Sequence, residues 1–195
     1  MRSVDDKLRA LLDSLYVEGE AFDAALEDRR KRRRNLSPDT AALLALTLRI
    51  ADAKDVVEIG TSNGYSAIWL ADAVRDTGGS LITVDLEASV DAVTNVRNAG
   101  LAAHVCFEVA DGGDFLARRP DASLDLLFLD AERPEYPGWW PHPARVLRPG
   151  GVLAVDNVLS HPDEVAPFLA LLNETFTGET VALGKGMYIA VRTAA

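Results

Sequence analysis

The sequence predicts an α/β fold, a doubly wound and mostly parallel sheet of seven strands preceded by helices and closed by an antiparallel hairpin. Three observations predict it. Short β-branched runs alternate with helical patterns from residue 55 to residue 174, the rhythm of a parallel sheet with right-handed crossovers and helices on both faces. The tail breaks that rhythm, because strand patterns at 179–183 and 187–191 are joined by Gly184-Lys185-Gly186 with no room for a helix. Finally, the strand ending Glu58-Ile59-Gly60 runs into a turn bracketed by Gly60 and Gly64 and then into an amphipathic helix, as in a nucleotide-cofactor pocket.

Taken in order, helices are expected at 4–18 and 21–34, and a third at 38–50, where Ser37 is the N-cap and Pro38 the first helical residue. Strands follow at 55–60, 80–85, 104–109, 124–130 and 151–156. Helices alternate with them at 64–76, 87–99, 112–118, 139–147 and 162–174. One domain is expected, with residues 1–52 as a helical cap on an α/β core at 53–195. The single cysteine, Cys106, lies in an alternating strand pattern, so no internal disulfide is possible and a core position is expected.

With 195 residues and 48% hydrophobic content the chain is long enough for one well-buried core. No apolar run reaches the roughly 18 residues needed to span a bilayer. The first residues lack the apolar stretch of a signal peptide, and a soluble, cytoplasmic protein without membrane contact is expected. A net charge of −10 opposes broad affinity for nucleic acid. Six consecutive cations from Arg29 to Arg34 run against that balance. They are either a solvated helix end or a local site for an anionic substrate, an acidic subunit or RNA.

In such a sheet ligands bind outside the carboxyl ends of the strands. Those ends carry Gly60, Asp85, Asp111, Asp130 and the pair Asp156-Asn157. The G-x-x-x-G spacing from Gly60 to Gly64 departs from the G-x-G-x-x-G of dinucleotide sites and points to a cofactor without a pyrophosphate. Asp85 either accepts both ribose hydroxyls of a bound nucleoside or caps a helix starting near Glu87. Asp111 either accepts from an adenine amino group or caps the helix through Leu116. Asp130, Asp156 and Asn157 are all hard oxygen ligands, suited to Mg²⁺ or a similar ion, and with no histidine or cysteine among them structural zinc is not expected.

On the segments 57–66, 83–85, 126–131, 148–151 and 155–158, the chain resembles the cation-dependent O-methyltransferases of the catechol and caffeoyl-CoA type, a branch of the class I S-adenosylmethionine (SAM) fold. The likeness covers residues 40–192. It implies that Glu58, Gly60, Ser62, Gly64 and Ser66 surround the methionine end of SAM, Asp85 the ribose and Asp111 the adenine edge. Asp130 then borders the cofactor and, with Asp156 and Asn157, holds Mg²⁺ or another divalent ion. The implied acceptor is a small hydroxylated aromatic molecule, and the implied assembly is a homodimer. A subgroup acting on hydroxyuridine in transfer RNA is a second possibility, and a noncatalytic SAM-binding protein a third.

One departure concerns the candidate catalytic residues, Asp130 and Arg133. The family usually has a lysine base three residues after the first metal aspartate, where this chain has Arg133. An arginine side chain keeps its proton at neutral pH and cannot act as that base. Either the metal alone acidifies the hydroxyl while Arg133 holds the oxyanion, or another group, His142 or His161, takes the proton. Tyr136, Trp139 and Trp140 either wall an aromatic pocket or pack a helix.

Overall fold

Seven strands form one sheet in the order β3-β2-β1-β4-β5-β7-β6 in the computed structural model, which describes residues 5–28 and 32–193. The strands are β1 Asp55–Ile59, β2 Ser80–Asp85, β3 Val105–Val109, β4 Leu124–Leu129, β5 Leu147–Asp156, β6 Phe176–Val181 and β7 Met187–Arg192. The first five are parallel, and β7 pairs antiparallel with both β5 and β6. The helices are α1 Asp6–Ala25, α2 Pro38–Ile50, α3 Tyr65–Thr77, α4 Val90–Asn98, α5 Gly112–Arg118, α6 His142–Val146 and α7 Pro162–Leu172. The Ser37 side chain accepts from Thr40 N, so the predicted cap of α2 is present.

Strand alternation divides the core. Val56, Leu126, Phe128 and Ala154 face Leu8, Leu44, Ile68 and Val96 from α1 to α4. Val57, Leu127, Leu129 and Val155 face Phe115, Val146 and Phe168 from α5, α6 and α7. With both faces covered, the central strands read as continuous apolar runs. No helix among the described residues is long and apolar enough to cross a membrane.

Four expectations need correction. The two helices expected over 4–34 are one helix that ends at Ala25. Gly19 lies inside α1, where a Cβ would collide with the Asn35 amide, which donates to Leu15 O at 3.2 Å. Residues 32–37 are not helical, so Arg32, Arg33 and Arg34 are not a helix end; Arg29, Arg30 and Lys31, like Val4, lie outside the described residues. The helix expected from Glu87 begins at Val90 with Ser89 as its cap, so Asp85 does not cap it. The helix expected over 139–147 is only the short α6, His142–Val146, and a 3₁₀ stretch over Arg133–Trp139 precedes it.

The fourth correction is Cys106, which is exposed. The alternation in β3 was read properly as strand, but β3 is the sheet's edge and only one of its faces is well covered. We expect Cys106 to react with a thiol reagent in the folded protein, and Cys106→Ser to change stability by less than about 0.5 kcal/mol. A thiol that reacts only after denaturation would contradict this.

Candidate active site

The chain order reverses at β1, which feeds β2 and β3 on one side before β4 returns on the other. Gly60 sits at that switch with φ +110, and a Cβ there would run into the carbonyl oxygen of Asp130. Gly60 N donates to Val84 O at 2.8 Å and Asp130 N to Ile59 O at 2.9 Å, which ties the ends of β1, β2 and β4 into one edge. A cleft of about 650 Å³ opens over that edge, and its lining includes Asp111, Asp85, Gly60, Asp130 and Asn157. Their order follows the order of the strands.

The turn after β1 is organised by Asp85. One carboxylate oxygen accepts from Thr61 N at 2.9 Å and Ser62 N at 3.0 Å, and the other from Leu86 N at 2.8 Å. Asp111 accepts from Asp114 N at 2.9 Å, so it caps α5, and it also borders the cleft. Gly64 takes φ +79 as the N-cap of α3 and brings the helix start, with Ser66 in its first turn, beside the cleft. Beneath the turn Glu58 is fully buried and accepts from Thr83 Oγ1 at 2.7 Å. Burial pushes its carboxyl up to about 7, against the lowering pull of the Ser66 and Thr83 hydroxyls. Glu58 Oε1 and Asn63 Nδ2 have no hydrogen-bond partner, an orphaned acceptor and an orphaned donor beside one turn.

At the other end Asp130 and Asp156 approach each other across β4 and β5. Asn157 Nδ2 donates to Asp156 Oδ2 at 2.7 Å and to Asp130 Oδ1 at 3.2 Å. Burial and the facing Asp156 and Glu58 carboxylates hold Asp130 well above the ordinary carboxylate range, against the pull of Lys185 and Arg133. Burial lifts Asp156 to about 6, opposed by the Asn157 backbone, Lys185 and Arg133. Among the described residues no three His, Cys, Asp or Glu side chains gather as a metal cluster; this set is two carboxylates and an amide.

Arg133 is buried, and its Nε donates to Glu164 Oε2 at 2.7 Å. Tyr136 is core: its hydroxyl accepts from Ala131 N at 2.7 Å and donates to Ala131 O, fixing the turn beyond Asp130. Trp139 does line the cleft, but against Gly112 and Gly113 beside Asp111, away from the acidic pair. Trp140 packs on the core. His142 opens α6 beside Arg145 and is not part of the cleft wall. His161 Nδ1 lies 2.9 Å from Ser160 Oγ, which reaches Asn157 Oδ1 at 3.4 Å.

Sequence reasoning missed the segment 32–36, which crosses the cleft as a strap. Asp23 accepts from Arg33 N and Arg34 N, Ser62 Oγ donates to Arg33 O, Arg33 pairs with Asp91 and Arg34 with Glu132. Asn63, Glu164 and Lys185 were missed as well, each brought in by contacts distant in sequence.

A parallel sheet with a switch-point cleft, a glycine turn and acidic strand ends defines a class I methyltransferase arrangement. The chain belongs to the O-methyltransferase family, whose profile matches residues 21–169. It is 32% identical to the catechol O-methyltransferase of Niastella koreensis over 130 residues, 64% of this chain and 58% of that protein. It is 30% identical over 205 residues to a Mycobacterium avium protein that bears an O-methyltransferase name, covering 92% of each. Among solved structures it is similar to the O-methyltransferase TomG of Streptomyces achromogenes, involved in tomaymycin synthesis and in complex with SAM. The identity there is 29% and the TM-score 0.77, over 98% of this chain and 92% of that one.

Proposed function

We propose that this protein transfers the methyl group of SAM to one hydroxyl of a small catechol-like acceptor, assisted by a divalent cation held by Asp130, Asp156 and Asn157. The observation that carries the reading is the pair of half-buried Asp130 and buried Asp156 at the end of a cleft whose other end has the ribose-type and adenine-type acceptors Asp85 and Asp111. Two carboxylates this close require a shared proton or a cation. Their donor set is hard oxygen, and Asn157 adds its Oδ1 if the amide turns over. The residues therefore fit a divalent ion. The cofactor fits too, since the orphaned Glu58 Oε1 and Asn63 Nδ2 match an ammonium and a carboxylate of a methionine moiety.

SAM supplies a sulfonium methyl: the S–C bond breaks with its electron pair left on sulfur while an acceptor oxygen pair forms the O–C bond. A divalent ion held by Asp130, Asp156 and Asn157 would supply positive charge that acidifies one of two neighbouring hydroxyls, whose proton would leave to solvent. The chain's own residues position and shield. Asp85 fixes the turn against which the ribose lies, and Trp139 walls the adenine end. Arg133, locked on Glu164, is a fixed positive charge beside the acidic pair. The strap over the cleft excludes water, which favours a step in which opposite charges neutralise. Among the described cations of the basic run, Arg33 pairs with Asp91, Arg34 with Glu132 and Arg32 with the Leu26 carbonyl, so these three side chains have partners within the chain, which weighs against a transfer RNA substrate.

The test is methyl transfer from labelled SAM to caffeate with Mg²⁺ or with EDTA, in wild type and Arg133→Lys. Wild type should turn over with Mg²⁺ and lose at least about 10²-fold in EDTA. The lysine variant should turn over within about tenfold of wild type, because position 133 is tied to Glu164 rather than offered to the acceptor. EDTA-resistant turnover would remove the cation from the reading. SAM binding with no transfer to any diol would replace it with the noncatalytic one.

A further inference from the structure

The strap over the cleft is pinned through its backbone. Asp23 Oδ1 accepts from Arg33 N at 2.6 Å and Asp23 Oδ2 from Arg34 N at 2.8 Å, while Ser62 Oγ donates to Arg33 O at 2.9 Å. The chain is thereby tied to α1 on one side and to the turn from Gly60 to Gly64 on the other. Arg34 takes φ +53, a left-handed conformation that a residue with a side chain seldom adopts unless its surroundings impose it. The kink is where the chain leaves the strap for the core, since the next two residues, Asn35 and Leu36, are buried. The Arg34 side chain stays behind in the wall of the cleft.

The strap's three described cations go to different places. Arg32 is engaged by Leu26 O at 2.8 Å, and Arg33 lies over the Phe22 ring and pairs with Asp91. Arg34 Nη1 instead lies 3.3 Å from Glu132 Oε1, which sets its guanidinium against the loop that leaves Asp130. Glu132 and Arg133 line the same stretch of the cleft. This wall is charged, and none of Tyr136, Trp139 and Trp140 stands in it. An acceptor there is consequently gripped through charge. Arg133 is 8% exposed and locked on Glu164 at 2.7 Å, so it cannot turn to a ligand. The Arg34–Glu132 pair lies at the rim, with side chains 34% and 56% exposed, and a rim pair is weak enough for a ligand to replace one partner.

Resting on the O-methyltransfer reading, we propose that Arg34 is a specificity-determining residue that selects acceptors bearing a carboxylate on the diol ring or its side chain. The acceptor carboxylate takes the place of Glu132 on the Arg34 guanidinium, whose planar fork matches it, while the hydroxyls lie toward Asp130. Because the strap backbone is fixed, the distance from the guanidinium to the acidic strand ends is fixed too, and the acceptor is oriented as well as held. Glu132 is then an internal stand-in for the ligand, neutralising Arg34 in the empty cleft. A cation set inside a cleft of about 650 Å³ suits a small anion rather than a polyanion laid over the surface.

The experiment measures steady-state methyl transfer with Mg²⁺ to caffeate and to its amide, which share a ring and a diol and differ in charge. Wild type, Arg34→Gln, Arg34→Lys and Glu132→Gln are compared. Wild type should prefer caffeate by about tenfold or more in kcat/KM, the worth of a hydrogen bond between charged groups. Arg34→Gln should bring the two acceptors within about twofold, by raising KM for caffeate rather than by lowering kcat. Arg34→Lys should keep part of the preference. Glu132→Gln should move the other way and lower KM for caffeate several-fold with little change for the amide, because the internal competitor has gone. A purely structural role for the pair would instead weaken both acceptors together in both variants, and that result overturns the proposal. A wild type that uses the acid and the amide equally also overturns it, without recourse to any variant, and leaves the O-methyltransfer reading standing. Transfer to neither acceptor rejects that reading itself, and the role of Arg34 with it. Melting temperatures and SAM affinities close to wild type show that the variants are folded.

Discussion

Asp156→Asn should abolish methyl transfer, with kcat/KM down by about 10³-fold or more, while leaving the metal-free protein at least as stable as wild type near pH 8. The two halves of that expectation come from one arrangement. Asp156 is 3% exposed and faces Asp130 with a single amide, Asn157, donating to both. Burial lifts Asp156 to about 6 and raises Asp130 as well, so near pH 8 the metal-free site holds a charge at Asp156 that the fold does not favour. Asparagine has nearly the same shape, so the cavity is kept while one repelling charge is removed. Function and stability should therefore move in opposite directions, which separates a ligand residue from a structural one. Titration with Mg²⁺ sharpens the point: it should raise the wild-type melting temperature and leave the variant's nearly unchanged. Metal-dependent turnover within tenfold of wild type in Asp156→Asn would remove this residue from the site.

Most of the sheet was legible because its strands are buried on both faces, and such runs stand out whatever lies around them. The strand ends followed, since a glycine or a carboxylate closing an apolar run marks the edge where ligands bind. Other features depend on contacts that the sequence does not display. The single helix over Asp6–Ala25 keeps Gly19 in its interior because Asn35, sixteen positions on, fills the space its missing side chain leaves. Cys106 looked internal because alternation identifies a strand but not whether it is the edge of the sheet. The strap over the cleft depends on Asp23 turning its carboxylate to two backbone N–H groups after α1 has ended. Lys185 was noticed only as the middle of a hairpin turn. Two glycines around one lysine do signal a constrained backbone, but that signal does not say which strand ends the turn will meet.

Glu58→Gln should stabilise the protein above neutral pH and have little effect near pH 4. Glu58 is fully buried beneath the turn from Gly60 to Gly64; Thr83 Oγ1 donates to one of its oxygens, and among the described residues the other has no hydrogen-bond partner. Burial, helped by the Asp85 charge, lifts the carboxyl from its ordinary 4.5 to about 7. Between those values the folded chain holds a proton that the unfolded chain has released, so folding stability falls as pH rises through the window. The loss is complete above about pH 7 and is on the order of 3 to 4 kcal/mol. Glutamine keeps the shape and a hydrogen-bonding oxygen but cannot ionise, so the variant's stability should not share that slope. Asp130 and Asp156 titrate in both proteins, and because the Glu58 charge also raises Asp130, the difference between wild type and variant reads Glu58 together with its coupling to Asp130. Urea midpoints at pH 5 and pH 8 measure it, and an equal difference at both would show that the fold does not raise the Glu58 carboxyl above its unfolded value. If the methionine ammonium of SAM lies against Glu58, as proposed, the same substitution should weaken SAM binding while it strengthens the fold. A buried acid with one idle oxygen would then be kept for the ligand it receives, at a cost to the empty protein.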